Sequence, residues 1–169
     1  MSTRGLAVLL LLLGCSCGKK STSSPTKYVE RMVRVGSLRV DVEPVTAGDY
    51  DHCVQSRACP TPTAPLRSRG APGYLPSLVM VANWDEAVAF CRWRGARLPT
   101  RDEAEVAYES EEVKAMHVAE REWTSTPYSG LKTPSMEGLE FRYLIGGELD
   151  SRGFEDTSTQ LKFRCVRSR

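Results

Sequence analysis

Cysteine is the residue type in this sequence with the widest choice of chemistry. A thiolate can act as a nucleophile, bind a soft metal ion, carry a lipid or join a second thiol in a disulfide. The 169-residue chain has six cysteines: Cys15, Cys17, Cys53, Cys59, Cys91 and Cys165. Which chemistry each one performs depends on its compartment and on the segment that positions it.

The N-terminal residues have the order of a secretion signal. Arg4 precedes an apolar run over 6–13, and Gly14 and Cys15 follow it. The run is too short to cross a bilayer, which takes about 20 apolar residues. The motif LLGC at 12–15 resembles the lipobox of bacterial lipoproteins, in which the cysteine is acylated and the peptidase cuts before it. The alternative is a soluble secreted protein that is cut nearby.

This resemblance predicts three segments. Residues 1–14 are a signal peptide, residues 15–26 are a polar tether that is flexible, and residues 27–169 are the folded domain. Lipid on Cys15, palmitate included, holds the protein to a membrane of the bacterial cell envelope. Ser16 is not the aspartate associated with inner-membrane retention, which favours the outer membrane.

Composition limits the partners. The whole chain has 23 basic and 21 acidic residues, a formal net charge of +2. Cleavage before Cys15 removes Arg4 and leaves 155 residues with a charge of +1, enough for one domain. Since acidic and basic residues are interspersed, there is no basic surface typical of nucleic-acid binding. The chain is therefore not expected to bind nucleic acid.

Export places the other cysteines where disulfides persist. Cys17 lies in the tether and is left over from an odd number of thiols. Cys53 and Cys59 are close in sequence and favour a local bridge, which pairs Cys91 with Cys165. The alternative is that some of the four are buried free thiols.

The segments around these cysteines predict a mixed fold. Alternating residues from Tyr28 to Val45 indicate two edge or half-buried strands turned at Gly36-Ser37. Thr46 caps a short helix that ends near Ser56. Residues 60–76 contain five prolines and two glycines and are predicted to be a surface loop.

Two further helix starts are capping boxes, in which a side chain and a carboxylate three residues later bond each other's backbone. These pairs are Asn83 with Glu86 and Thr100 with Glu103. The first helix carries Cys91 on its apolar face and ends at Gly95, and the second reaches about residue 110. The run 97–99 between them is extended. Residues after Trp123 are predicted to be mainly loop, with strands over 141–145 and 161–166, which gives an α+β fold.

The order of motifs resembles the formylglycine-generating enzyme, or sulfatase-modifying factor, family. The pieces are EPVTAGDY at 43–50, NWDEAVAFCRWRGARLPTRDEAEVAYE at 83–109, EWT at 122–124, IGG at 145–147 and FRCV at 163–166. The resemblance implies an irregular fold related to C-type lectins, with two central helices and little regular secondary structure. It also implies a bridge between Cys91 and Cys165.

Enzymes of that family use copper and a cysteine pair in a segment shortly before the last strand. The corresponding segment here, 148–162, contains no cysteine or histidine, and copper–thiolate chemistry needs soft sulfur ligands. The stretch that carries calcium loops in the family is shortened to 110–121 and has no suitable ligands, so those sites are expected to be lost. His52 and His117 have no partner histidine at metal-ligand spacing.

We therefore assign no catalytic, cofactor-binding or metal-binding residue from the sequence. Trp93 and Trp123 are aromatic side chains that either line a groove or, more commonly for buried aromatics, pack in the core. The favoured hypothesis is a non-catalytic domain that binds a protein or glycan at the envelope. The alternatives are a formylglycine-generating or related oxidase acting on exported substrates, and a structural envelope component.

Overall fold

The computed structural model of the chain describes residues 30–113, 120–146 and 154–168. These residues form an α+β fold with three α-helices and two small antiparallel sheets. The elements are β1 (Met32–Val35), β2 (Leu38–Asp41), α1 (Ala47–Gln55), α2 (Trp84–Trp93), α3 (Arg101–Tyr108), β3 (Glu122–Pro127), β4 (Phe141–Ile145), β5 (Phe154–Asp156) and β6 (Val166–Ser168). Two short 3₁₀ helices cover Pro65–Arg67 and Pro134–Met136. The predicted α+β class is confirmed.

The first sheet joins the start of the domain to its end. β1 and β2 form the predicted hairpin, with Val35 opposite Leu38. Gly36 lies between them at φ +59°, a left-handed conformation that suits glycine. β6 pairs with the other side of β2, so the order is β1-β2-β6. β1 is therefore an edge strand, as expected, whereas β2 is central and half-buried, because a strand from the far end of the chain pairs with its other side.

The three helices begin at capping boxes, as predicted. Thr46, Asn83 and Thr100 each accept a hydrogen bond from the backbone N–H three residues later, and the acidic side chain at that position accepts from the cap residue's N–H. Gly95, at φ +66°, follows α2 and ends it. α3 ends at Tyr108, two residues earlier than predicted.

The main core lies where α1 and α2 pack against β3, β4 and the approach to β6. Phe90 contacts the rings of Tyr50, Trp93 and Phe163 at centroid distances of 5.6 to 5.8 Å. Trp123 is fully buried and donates from its indole N–H to the Ala82 carbonyl at 2.8 Å. Within the described ranges, no helix has the length and apolar content needed to span a membrane.

Two strand predictions are corrected, one in the second sheet, β3-β4-β5, and one at β6 of the first sheet. Residues after Trp123 were expected to be mainly loop, but Glu122–Pro127 is a strand that pairs with β4. The strand expected over 161–166 is displaced: Leu161 and Lys162 make isolated bridges, and the regular strand begins at Val166. Both errors have the same cause: the bounds of these strands depend on pairing with segments that are distant in the sequence.

The capping box of α3 makes a pH-dependent contribution to stability. Arg97 donates two hydrogen bonds of 2.6 Å to the Glu103 carboxylate. These bonds lower the pKa of Glu103 to about 2. A carboxyl whose pKa is lowered by folding contributes fully above its ordinary value of 4.5, and the contribution is lost as the pH falls from 4.5 to about 2.

We expect the Arg97→Ala variant to raise the pKa of Glu103 toward 4.5, measured by NMR titration of the side-chain carboxyl. The loss of stability at neutral pH should stay below about 1 kcal/mol because this ion pair is solvent-exposed. Arg101→Ala is the matched control, since Arg101 pairs with Glu105 instead. An unchanged Glu103 pKa in Arg97→Ala would contradict the assignment.

Candidate binding site

The four cysteines of the described domain form two disulfides. Cys53 on α1 bonds Cys59, and Cys91 on α2 bonds Cys165 next to β6. The pairing predicted from spacing and from the family resemblance is confirmed. Cys15 and Cys17 lie outside the described residues, so lipidation and the tether stay predictions.

A cavity of about 430 Å³ opens beside the first sheet, between the end of β2, the start of α1 and the end of α2. We call it the charged cavity, because half of the residues that line it are acidic or basic. Its lining residues are Arg31, Asp41, Glu43, Pro44, Val45, Thr46, Asp49, His52, Ser77 and Arg94.

The floor of the charged cavity is a buried ion pair. Arg94, at the C-cap of α2, donates to both carboxylate oxygens of Asp41 at 2.8 Å. The two side chains are only 3% and 6% exposed. Asp41 also accepts the backbone N–H of Cys165 at 2.9 Å. Burial raises the pKa of Asp41, although Arg94 and the Cys165 amide oppose that rise. The pair therefore joins the end of β2, the C-cap of α2 and the backbone of Cys165.

The rim of the charged cavity is more open. Arg31 and Glu43 face each other at 3.9 Å with 74% and 38% of their side chains exposed. Asp49 completes the capping box of α1 through one carboxylate oxygen, and His52 lies one turn further along the same helix. The rim therefore presents charges that a ligand can reach, above a floor that is already paired.

A second buried ion pair lies behind the cavity floor. Arg164 donates from Nε to both oxygens of Glu122 at 3.1 Å, and the Tyr108 hydroxyl also hydrogen-bonds this carboxylate. Arg164 donates further to the Val42 carbonyl at 2.7 Å. Burial raises the pKa of Glu122, against the opposing effect of Arg164 and Tyr108. This cluster ties α3, β3 and the last segment together.

The sheet β3-β4-β5 carries a cluster of aromatic rings on its surface. Tyr128 stacks on Phe154 at 3.9 Å between centroids, and Tyr143 and Phe141 meet these rings edge-on. All four side chains are partly exposed. The rings pack against one another across this sheet.

The segment corresponding to the family's cysteine pair, 148–162, is described from residue 154 onward. There it forms β5, a turn at 157–158 and the bridge from Leu161 to Ala82. Across the described ranges, no three His, Cys, Asp or Glu side chains are grouped to hold a metal ion.

The structure also places two tryptophans and one histidine that were singled out in the sequence. Trp93 is partly buried against Phe90, and Trp123 is a core residue, so core packing holds for both. His52 lines the charged cavity. His117 lies outside the described residues.

Sequence reasoning missed the residues that build the charged cavity. Asp41 gave a usable signal, because a carboxylate ends the apolar alternation of β2 and a buried acid requires a partner. Glu122 and Arg164 stood inside the recognised motifs EWT and FRCV without an assigned role. Arg94 gave no such signal, since it follows α2 as an ordinary charged residue.

Comparison with known proteins gives one family and a set of distant structures. The profile described as the sulfatase-modifying factor enzyme 1-like domain matches residues 13–126, which are 114 of the 169 residues. The match ends before the IGG and FRCV pieces. No curated protein is significantly similar to the chain.

Thirty-six chains of solved structures are significantly similar. Among them is EMS16, an antagonist of the collagen receptor integrin alpha2beta1 (GPIa/IIa). It is 10% identical, with a TM-score of 0.47, and the alignment covers 84% of this chain and 100% of that chain.

Proposed function

Because this chain belongs to the sulfatase-modifying factor enzyme 1-like family, we propose that it is a non-catalytic member, anchored to the bacterial cell envelope by lipid on Cys15. The family predicted from the sequence is confirmed by the match over residues 13–126. In the proposed role the domain binds a protein or glycan partner, and the charged cavity is the site for that partner.

The state of the cysteines carries the non-catalytic part of the proposal. Oxidation of a substrate cysteine by copper needs thiolates at the metal. In the domain 27–169 the only cysteines are the four that form the two disulfides. Three of the four, Cys53, Cys91 and Cys165, are fully buried, so no thiol of the domain is offered to a metal.

The same disulfides support export. Disulfides persist in oxidising compartments outside the cytosol and are uncommon within it. The signal-like N-terminus and LLGC at 12–15 provide the route. A lipid on Cys15 would leave 15–29 as the connection to Glu30, where the described domain begins.

We expect two results from the purified full-length product. Mass spectrometry should show a chain that begins at Cys15 and carries acyl groups, with one free thiol before reduction and five after it. In a copper titration with a cysteine-containing sulfatase peptide, neither copper uptake nor turnover is expected.

A Cys15→Ser variant is the matched control for the anchor and should lack the acyl mass. An unmodified Cys15 in the wild-type protein would overturn the anchor. Turnover of the peptide would overturn the non-catalytic role and favour an oxidase acting on exported substrates. Recovery from cross-linked membranes in one fixed stoichiometric complex would instead favour a structural envelope component.

A further inference from the structure

We propose that the arginine face of the first sheet docks on an anionic bilayer surface, so that the domain lies against the membrane that anchors it. The arginine face is the side of β1, β2 and β6 that carries Arg34, Arg39 and Arg167. The proposal rests on the proposed function, which places lipid on Cys15, and it adds the surface through which the folded domain contacts that membrane.

The pairing of the three strands places these arginines in one row. Arg39 in the central strand lies directly opposite Arg34 on one side and Arg167 on the other. Residues directly opposite each other in an antiparallel pair point to the same face, with Cβ atoms about 5 Å apart, and like charges there destabilise a sheet. Arg167 comes from the far end of the chain, so only the tertiary structure creates this row.

The other side of the same sheet is buried. Its residues belong to an apolar cluster that also contains side chains of α3: Val33, Val35, Leu38, Val40 and Val166. Because successive side chains of a strand point to opposite faces, the arginines point away from this cluster. Arg34 and Arg39 are exposed and Arg167 is partly exposed. The row therefore faces solvent on a sheet whose other side is fixed to the domain.

The three arginines differ in the bonds that they already make. Arg167 donates to two backbone carbonyls at the end of α2 and pairs with Glu30 at 3.0 Å. Arg34 donates to one backbone carbonyl at 3.3 Å. Within the described ranges, neither Arg34 nor Arg39 has an acidic side chain at ion-pair distance. The row therefore offers two exposed guanidinium groups to an external anion, next to a third whose position is fixed.

The connection to the anchor enters the domain beside this row. Glu30, the first described residue, is the one that pairs with Arg167. The segment 15–29 spans at most about 50 Å when fully extended, so lipid on Cys15 holds the arginine face within that distance of the bilayer. The same segment contains three lysines and no acidic residue. The anchor therefore brings the arginine face to the membrane along a connection of the same charge.

An anionic bilayer is the occupant that this placement favours. Anionic headgroups attract lysine and arginine side chains that lie within a Debye length of the surface, and each such side chain strengthens the association about fivefold. Because the anchor already holds the domain at the bilayer, docking is an intramolecular step that needs only a weak attraction. Two or three arginines in one row are enough to supply it.

The test uses the full lipoprotein, isotope-labelled, in nanodiscs of phosphatidylcholine or of an equal mixture with phosphatidylglycerol. A gadolinium chelate on a small fraction of the headgroups broadens the NMR signals of amides close to the bilayer. We expect the β1 and β2 amides to broaden at least about threefold more in the mixed discs, with little change for β4 in the other sheet. Added salt should reduce the difference, because it screens the attraction.

Equal broadening of β1 and β2 in the two kinds of disc would overturn the proposal. Equal broadening of β1, β2 and β4 in the mixed discs would also overturn it, since the domain would then have no preferred face toward the membrane.

Two variants and a matched control separate the arginine face from net charge. Arg34→Gln and Arg39→Gln should each lower the ratio of docked to undocked domain about fivefold. Both should remain at least as stable as the wild type to thermal unfolding, because they relieve repulsion between opposed like charges. Arg57→Gln removes the same charge at an exposed position after α1 and should leave the ratio unchanged. An equal loss in Arg57→Gln would show that net charge alone decides docking, contrary to the proposal.

Failure of this test is distinct from failure of the proposed function. A mass spectrum without acyl groups on Cys15 overturns the anchor. An acylated protein that enters both kinds of disc without a difference in broadening overturns the arginine face as a docking surface and leaves the anchor in place.

Discussion

Replacing both Cys91 and Cys165 with alanine should lower the free energy of unfolding by about 4.5 kcal/mol, as estimated from chain entropy. The two residues are 74 positions apart, so their bond removes a long closed loop from the unfolded ensemble. Both are fully buried, and the bond fastens α2 to the segment that enters β6. Urea denaturation followed by tryptophan fluorescence measures the change.

The other disulfide is a matched control of the same chemistry. Cys53 and Cys59 are separated by six positions, and their double alanine variant should lose only about 2.4 kcal/mol. The loss of stability from removing the long loop should exceed the loss from removing the short one. A larger loss for the short loop would show that packing around Cys53, and not loop length, decides the effect.

The second large effect is expected at the buried pair of Glu122 and Arg164. Glu122→Ala should destabilise the fold by about 3 to 5 kcal/mol, because it leaves a buried guanidinium without its carboxylate. Both side chains are 2 to 3% exposed. Tyr108 also loses the group to which its hydroxyl is hydrogen-bonded. Denaturant unfolding at neutral pH gives the value.

Glu105→Ala provides the comparison on the surface. Glu105 pairs with Arg101 at 2.9 Å but is 40% exposed, so its loss should cost less than about 1 kcal/mol. A double variant, Glu122→Met with Arg164→Met, should recover much of the stability lost in Glu122→Ala, since apolar side chains often replace a buried pair well. A loss below about 1 kcal/mol in Glu122→Ala would show that the cluster is dispensable.

Both predictions concern the short segment 163–166. Its bonds to distant residues include the disulfide of Cys165, the ion pair of Arg164 with Glu122, and the hydrogen bond from the Cys165 N–H to Asp41. This segment follows directly after the one that carries the family's cysteine pair. The chain therefore keeps these cross-links next to a segment, 148–162, that contains no cysteine.

The sequence by itself determined the local features of the protein. The starts of all three helices were predictable because each capping box links residues only three positions apart, such as Thr100 and Glu103. The hairpin turn at Gly36 was predictable for the same reason. The spacing of four cysteines favoured the disulfide pairing, which the family resemblance also implied, and the motif order indicated the family.

Only the tertiary structure decided the features that join distant residues. Asp41 meets Arg94 across 53 positions, and Glu122 meets Arg164 across 42. β3 was missed, and the last strand was misplaced, because a strand exists only where a partner lies beside it. The charged cavity was invisible for the same physical reason: its walls come from β2, α1 and the end of α2, and no local pattern records which of these surfaces face each other.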